Sequence, residues 1–133
     1  METFDTNVVV RLLVRDDEAQ CRGAELVFRR AVATGGAWIP AVVLVEVAWV
    51  LRVAYKFDRA TTAAALRRLI GSEGVTVENE PETLRALAAF EVGAADFSDY
   101  VILETARRVG ALPVHTFDER LARAEGAELV RRG

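Results

Sequence analysis

Short apolar stretches alternate with helical patterning along the chain, and this alternation most constrains what it can fold into. "ETF" opens the sequence, "AWIP" occupies 37–40, "VTVE" 75–78 and "LPVHTF" 112–117. Each is brief, apolar and bounded by Asp, Gly or Pro, which marks a strand rather than a buried helix. Between them lie "NVVVRLLV", "DDEAQCRGAELVFRRAVAT", "AVVLVEVAWVLRVAYK", "DRATTAAALRRLIGSEG", "PETLRALAAFEV" and residues 96–109, which read as helices. A final helix "ERLARAE" and an edge strand "AELV" follow. Strands that alternate with helices pair in parallel, so the expected class is α/β, a small parallel sheet flanked by helices. With 133 residues, 52% of them hydrophobic, one domain over 1–133 can bury a substantial core.

Local punctuation agrees with these elements. Gly35-Gly36 stops the second helix, Pro40 suits the first turn of the next, and Asp58 is placed to cap the fourth. Pro81 opens the fifth. The helix over 41–56 is apolar nearly all round and is expected to be buried.

Composition narrows the class of function. A single cysteine, Cys21, excludes an intramolecular disulfide framework and suits a reducing cytosol. The start "METFD" lacks a basic region, so no signal peptide is expected, and the uncharged run 31–45 is too short to span a membrane. A cytoplasmic protein is the expectation. The net charge of −3 argues against nonspecific nucleic-acid binding. All 17 Lys and Arg residues except Lys56 are nevertheless arginine, the side chain that grips phosphate in a bidentate fork. A GC-rich genome gives the same bias.

Four acids stand out. Asp5 and Asp118 each follow an apolar strand and precede a helix, at the carboxyl ends where parallel sheets carry their sites. Capping alone would also place an Asp there. Glu46 is the single charge between Arg30 and Arg52, inside "VVLVEVAWVL", where a buried carboxylate needs a partner such as Arg11 or Arg52. Asp99 lies one turn after Asp96, at the head of "DYVILETA", where the helix dipole welcomes acids. If these carboxylates approach to roughly 5 Å, each like pair repels by about 3 kcal/mol at an effective dielectric near 20. A cation would relieve that repulsion, and an oxygen-only donor set selects Mg²⁺ or Mn²⁺, which points to phosphodiester chemistry.

"FDTNVVVRLL", "IPAVVLVEVAWVL", "GAADFSDYVILETA" and "HTFDERL" together resemble the PIN-domain ribonucleases, specifically the VapC-type toxins of toxin–antitoxin pairs. The resemblance runs in order from residue 2 to about 130. It matches Asp5, Thr6 and Asn7 to the family's first motif, Glu46 to its second acid and Asp99 to its third. Asp96 matches a further Asp in many members, and Thr116, Phe117 and Asp118 match the fourth motif. His115, Glu104 and Thr105 depart from the family pattern and bear on partner or substrate preference.

The resemblance implies an endoribonuclease with catalytic Asp5, Glu46, Asp99 and Asp118. Its metal ligands would be Asp5, Glu46, Asp99 and Asp96, with Asp96 either a ligand or a helix cap, and its cofactor Mg²⁺ with Mn²⁺ as substitute. Asn7, Thr116, Arg11 and Arg15 would contact substrate RNA. A cognate antitoxin and a homodimer are the implied protein partners. A phosphatase of the haloacid-dehalogenase type needs a second Asp where Asn7 stands, and a dinucleotide-binding domain needs glycines after the first strand. The rival that retains the fold is a PIN scaffold that binds RNA or protein without cutting.

Overall fold

In the computed structural model, which describes Met1–Gly133, the chain runs β1 (Glu2–Thr3), α1 (Thr6–Leu13), α2 (Glu18–Thr34), β2 (Ala37–Ile39), α3 (Ala41–Val53) and α4 (Arg59–Ile70). It continues through β3 (Val75–Val77), α5 (Glu80–Val92), α6 (Phe97–Arg108), β4 (Val114–Thr116), a 3₁₀ turn (Leu121–Arg123) and β5 (Ala127–Leu129). These elements fall into two compact units, Met1–Glu80 and Pro81–Gly133. No helix is long and apolar enough to cross a membrane.

The first unit holds a parallel sheet in the order β1-β2-β3, with Ala37 opposite Glu2 on one side and Val75 on the other. Each parallel step needs a long crossover, and the helix pairs α1–α2 and α3–α4 supply them. Asp17 and Asp58 cap α2 and α4 by accepting the amides of Gln20 at 3.0 Å and Thr61 at 2.8 Å. Pro40 sits at the N-cap of α3, one residue earlier than expected. Gly36 ends the turn after α2 at φ +107°, a conformation L side chains rarely adopt. A Cβ there would stand 2.9 Å from the Gly74 carbonyl oxygen, which accepts the Ala37 amide as β2 begins.

The expectation of a fully buried α3 is not met. Val43, Leu44, Val47, Ala48 and Leu51 face inward, and α1 and α4 pack against the helix. Burying each larger aliphatic side chain contributes about 1.5–3 kcal/mol. Val42, Glu46, Trp49 and Val53 form the opposite stripe at helical spacing, and all four are exposed, Trp49 by 63%. The apolar content of the helix thus exceeds what its neighbours cover.

In the second unit the rings of Phe90 on α5 and Phe97 on α6 meet edge to face, 6.0 Å apart, beside buried Leu87, Tyr100 and Leu103. β4 and β5 pair in parallel with one another, His115 opposite Glu128, as a separate two-stranded sheet. A single sheet was expected; the hydrogen-bond ladders make two. The predicted helix "ERLARAE" shrinks to the 3₁₀ turn, because the short connection over 117–126 must bring the chain back to a parallel strand and has no length for several α-turns.

Candidate active site: two groups of carboxylates

In the first unit Asp5 leaves the carboxyl end of β1 and caps α1, its Oδ1 accepting the Val8 amide at 3.2 Å. The carboxylate therefore sits at the positive end of the helix dipole and faces solvent. Its neighbour Thr6 donates a 2.6 Å hydrogen bond from Oγ1 to Oε1 of Glu46, a short charge-assisted contact that ties the start of α1 to α3. Glu46 is exposed, which corrects the expectation of a buried acid: it lies on the uncovered stripe of α3 and needs no arginine to hold it. Asn7, exposed in the first turn of α1, stands beside this group in sequence.

Arg11 and Arg15, expected to grip phosphate, already face other partners. Arg11 reaches Asp16 at 3.2 Å, Tyr55 Oη at 3.1 Å and Gln20 at 2.6 Å. Tyr55 donates to Asp16 in turn, which holds the Asp16 carboxyl below its ordinary range and raises the phenol. Arg15 pairs with Glu18 at 3.5 Å and with Glu25. These contacts tie α1, α2 and the end of α3 together.

In the second unit Asp96 occupies the N-cap of α6 and Asp99 its third helical position, the spacing of a capping box. Oδ2 of Asp99 accepts the Asp96 amide at 3.1 Å, so Asp99 does part of the capping that the sequence suggested for Asp96. Burial raises the Asp99 pKa most; the Asp96 amide opposes that, the negative charges of Asp96 and Asp118 add to it, and Arg120 offsets it. Three acids therefore feel one another here.

Asp118 follows β4 in a turn that Thr116 shapes, the Thr116 hydroxyl accepting the Asp118 amide at 2.9 Å. Thr116 was expected to contact substrate; its hydroxyl positions the acid. Oδ1 of Asp118 accepts the Arg120 amide at 2.8 Å, and the Arg120 guanidinium spans both carboxylate oxygens, Nε to Oδ1 at 3.3 Å and Nη2 to Oδ2 at 3.2 Å. That pairing with Arg120 holds the Asp118 carboxyl below the ordinary range. Sequence reasoning passed over Arg120 and left Thr6 outside the site. The signals were present, in the two-residue offset from Asp118 and in the hydroxyl after Asp5.

Neither unit by itself gathers three or more His, Cys, Asp or Glu side chains in an arrangement that could hold a metal ion. The donor chemistry still fits a hard divalent cation. Cys21 is buried with its thiol on the Val14 carbonyl, and His115 lies exposed on β4, which leaves carboxylate oxygens as the donors of both groups. Burial is the first cause of the raised Asp99 pKa, and the charges of Asp96 and Asp118 add to it.

The sequence model of the PIN domain family matches residues 3–127, across both units. The chain belongs to the PIN domain family. PIN domains are generally nucleases that act on RNA, and they generally use divalent metals. No match to the chain emerges among curated proteins.

Proposed function

We propose that this PIN protein is a metal-dependent endoribonuclease, the toxin of a toxin–antitoxin pair, working as one domain over 1–133. The observation that carries the reading is Asp99, a half-buried carboxyl whose pKa is raised beside two further acids inside a family match that generally denotes nucleases. Asp5, Glu46, Asp99 and Asp96 are the proposed ligands of Mg²⁺ or Mn²⁺. When bound, such an ion supplies positive charge to the phosphate and lowers the pKa of a water.

The chain's own residues prepare this chemistry. Thr6 orients Glu46, Asp5 caps α1 at the carboxyl end of β1, and Thr116 sets the turn that presents Asp118. Asn7, exposed in the first turn of α1, is a proposed contact to RNA. Breaking RNA through its own 2′-hydroxyl is typically served by two histidines, and this chain has only His115. Water is therefore the proposed nucleophile, displacing the 3′-oxygen and leaving 5′-phosphate and 3′-hydroxyl ends.

Purified protein with RNA tests the reading. Cleavage is expected to require Mg²⁺ or Mn²⁺, to stop in chelator, and to survive a single 2′-deoxy substitution at the cut. Ends carrying 2′,3′-cyclic phosphate, or undiminished cutting in chelator, would refute the metal mechanism. RNA binding without any cleavage would make the protein a scaffold. The uncovered stripe Val42, Trp49 and Val53 supports a homodimer, and the VapC resemblance supports an antitoxin partner and a cytoplasmic setting.

A further inference from the structure

Exposure along β4 and just beyond it alternates with the period of a strand. Val114, Thr116 and Asp118 are half-buried, whereas His115 and Phe117 are exposed, Phe117 by 69%. Two flat rings therefore share one open face, about 6–7 Å apart along an extended chain. The second directly precedes Asp118. A lone exposed ring is ordinary, but here two stand together, and His115 is also a departure from the family pattern. Burying Phe117 would contribute about 1.5–3 kcal/mol. The fold forgoes that gain in a turn held on both sides, where Thr116 accepts the Asp118 amide and Asp118 accepts the Arg120 amide.

Charges around this face separate bases from backbone. Glu128 on β5 is exposed opposite His115 and repels a phosphate, so the face itself suits uncharged bases. Pairing runs to the ends of both strands, the Val130 amide donating to the Thr116 carbonyl at 2.7 Å. Because the strands are parallel, exposed Arg131 and Arg132 leave the sheet at the same end as Phe117 and Asp118. Guanidinium groups there match backbone phosphates. We propose that His115 and Phe117 stack two bases of single-stranded RNA, with Arg131 and Arg132 on its phosphates, and so lead the strand to Asp118. The inference rests on the RNA substrate of the nuclease reading above and adds that the strand is unpaired where it is held. Bases in a duplex are already stacked on one another, so rings on a sheet face have no base plane to meet. Every base has a π-face, so this surface selects single strands rather than a sequence.

Binding of a short single-stranded RNA carrying 2-aminopurine to the full chain, in chelator, tests this with no cleavage in the readout. Stacking on the rings is expected to quench the fluorescence of the probe. Phe117→Ala and His115→Ala should each lose part of the quenching and weaken binding about tenfold. Both side chains are exposed, so these variants should keep the wild-type Tm. Phe117→Tyr should behave as wild type, and Phe117→Leu, apolar but not flat, as the alanine variant. Arg131→Gln and Arg132→Gln should each lower the slope of log affinity against log salt by about 0.7 and leave the quenching in place. The same sequence as a duplex should bind more weakly. Unchanged affinity and fluorescence in both alanine variants would overturn the inference and leave the face to a protein partner. Equally tight duplex binding, or no RNA binding by wild type, would overturn it too. None of these touches the nuclease reading if wild type cuts RNA with metal. RNA bound with full quenching but never cut would refute the nuclease reading and leave the stacking surface standing.

Discussion

Replacing Gly93 by Ala tests whether the start of α6, and with it Asp96 and Asp99, is held by Tyr100. A Cβ on Gly93 would stand 1.9 Å from the Tyr100 hydroxyl oxygen, 2.8 Å from its Cζ and 2.7 Å from the Ala89 carbonyl oxygen. Tyr100 is only 5% exposed, so the ring cannot retreat without disturbing the core, and its hydroxyl accepts the Ala95 amide at 3.3 Å. Overpacking of this kind costs about 1–3 kcal/mol, and loss of the hydrogen bond adds about 1 kcal/mol. A destabilisation of about 3 kcal/mol is expected, which lowers the Tm by about 10 °C for a chain of this size. Tyr100→Phe removes the nearest clashing atom but not Cζ or the Ala89 carbonyl, so the double variant should recover only part of the loss. Urea unfolding of wild type, both single variants and the double variant, all in chelator, closes the cycle with a coupling of about 1–2 kcal/mol. A Gly93→Ala protein within about half a kcal/mol of wild type, or strictly additive costs, would refute the reasoning.

Asp99→Asn should raise the Tm in chelator by about 2–4 °C and abolish cleavage, since the Asn oxygen can still accept the Asp96 amide while the charge is gone; a lower Tm would mark Asp99 as a structural cap alone. Because folding raises the Asp99 pKa, the advantage of the Asn variant should vanish at pH values below the unfolded pKa and open as pH rises through the folded one. Asp118 has the opposite sign: its contribution is present above the unfolded pKa and lost as pH falls through its depressed folded value, and NMR titration of the two carboxyls should show them on opposite sides of the ordinary range. Thr6→Val removes the 2.6 Å bond to Glu46 and should cut cleavage about tenfold or more while costing about 1 kcal/mol of stability; a variant with full activity would show that Glu46 needs no positioning. Trp49→Ala should weaken the proposed dimer, and a monomer mass for wild type in light scattering at micromolar concentration would remove that claim.

The alternation of short strands and helices was readable because period, length and punctuation are local properties. Asp58 as a cap, the Gly35-Gly36 stop and the parallel pairing of strands joined through helices all follow from signals within a few residues of each element. The acids could be nominated for the same reason, since a charge inside "VVLVEVAWVL" or at a strand end is anomalous in the sequence itself. Which side of a helix is covered is not a local property. The apolar content of α3 predicted burial all round, yet α1 and α4 pack on one face, so Glu46 emerges on the other beside Trp49. Strand partnership is equally nonlocal, and β4 chose β5 because backbone donors and acceptors pair with whatever strand the chain brings alongside. Partner choice among charges was decided in three dimensions too: Arg11 went to Asp16 and Tyr55, Thr6 to Glu46, and Arg120 to Asp118. Residue chemistry sets what each side chain can bind, and only the packed chain decides which candidate stands within a hydrogen bond's reach.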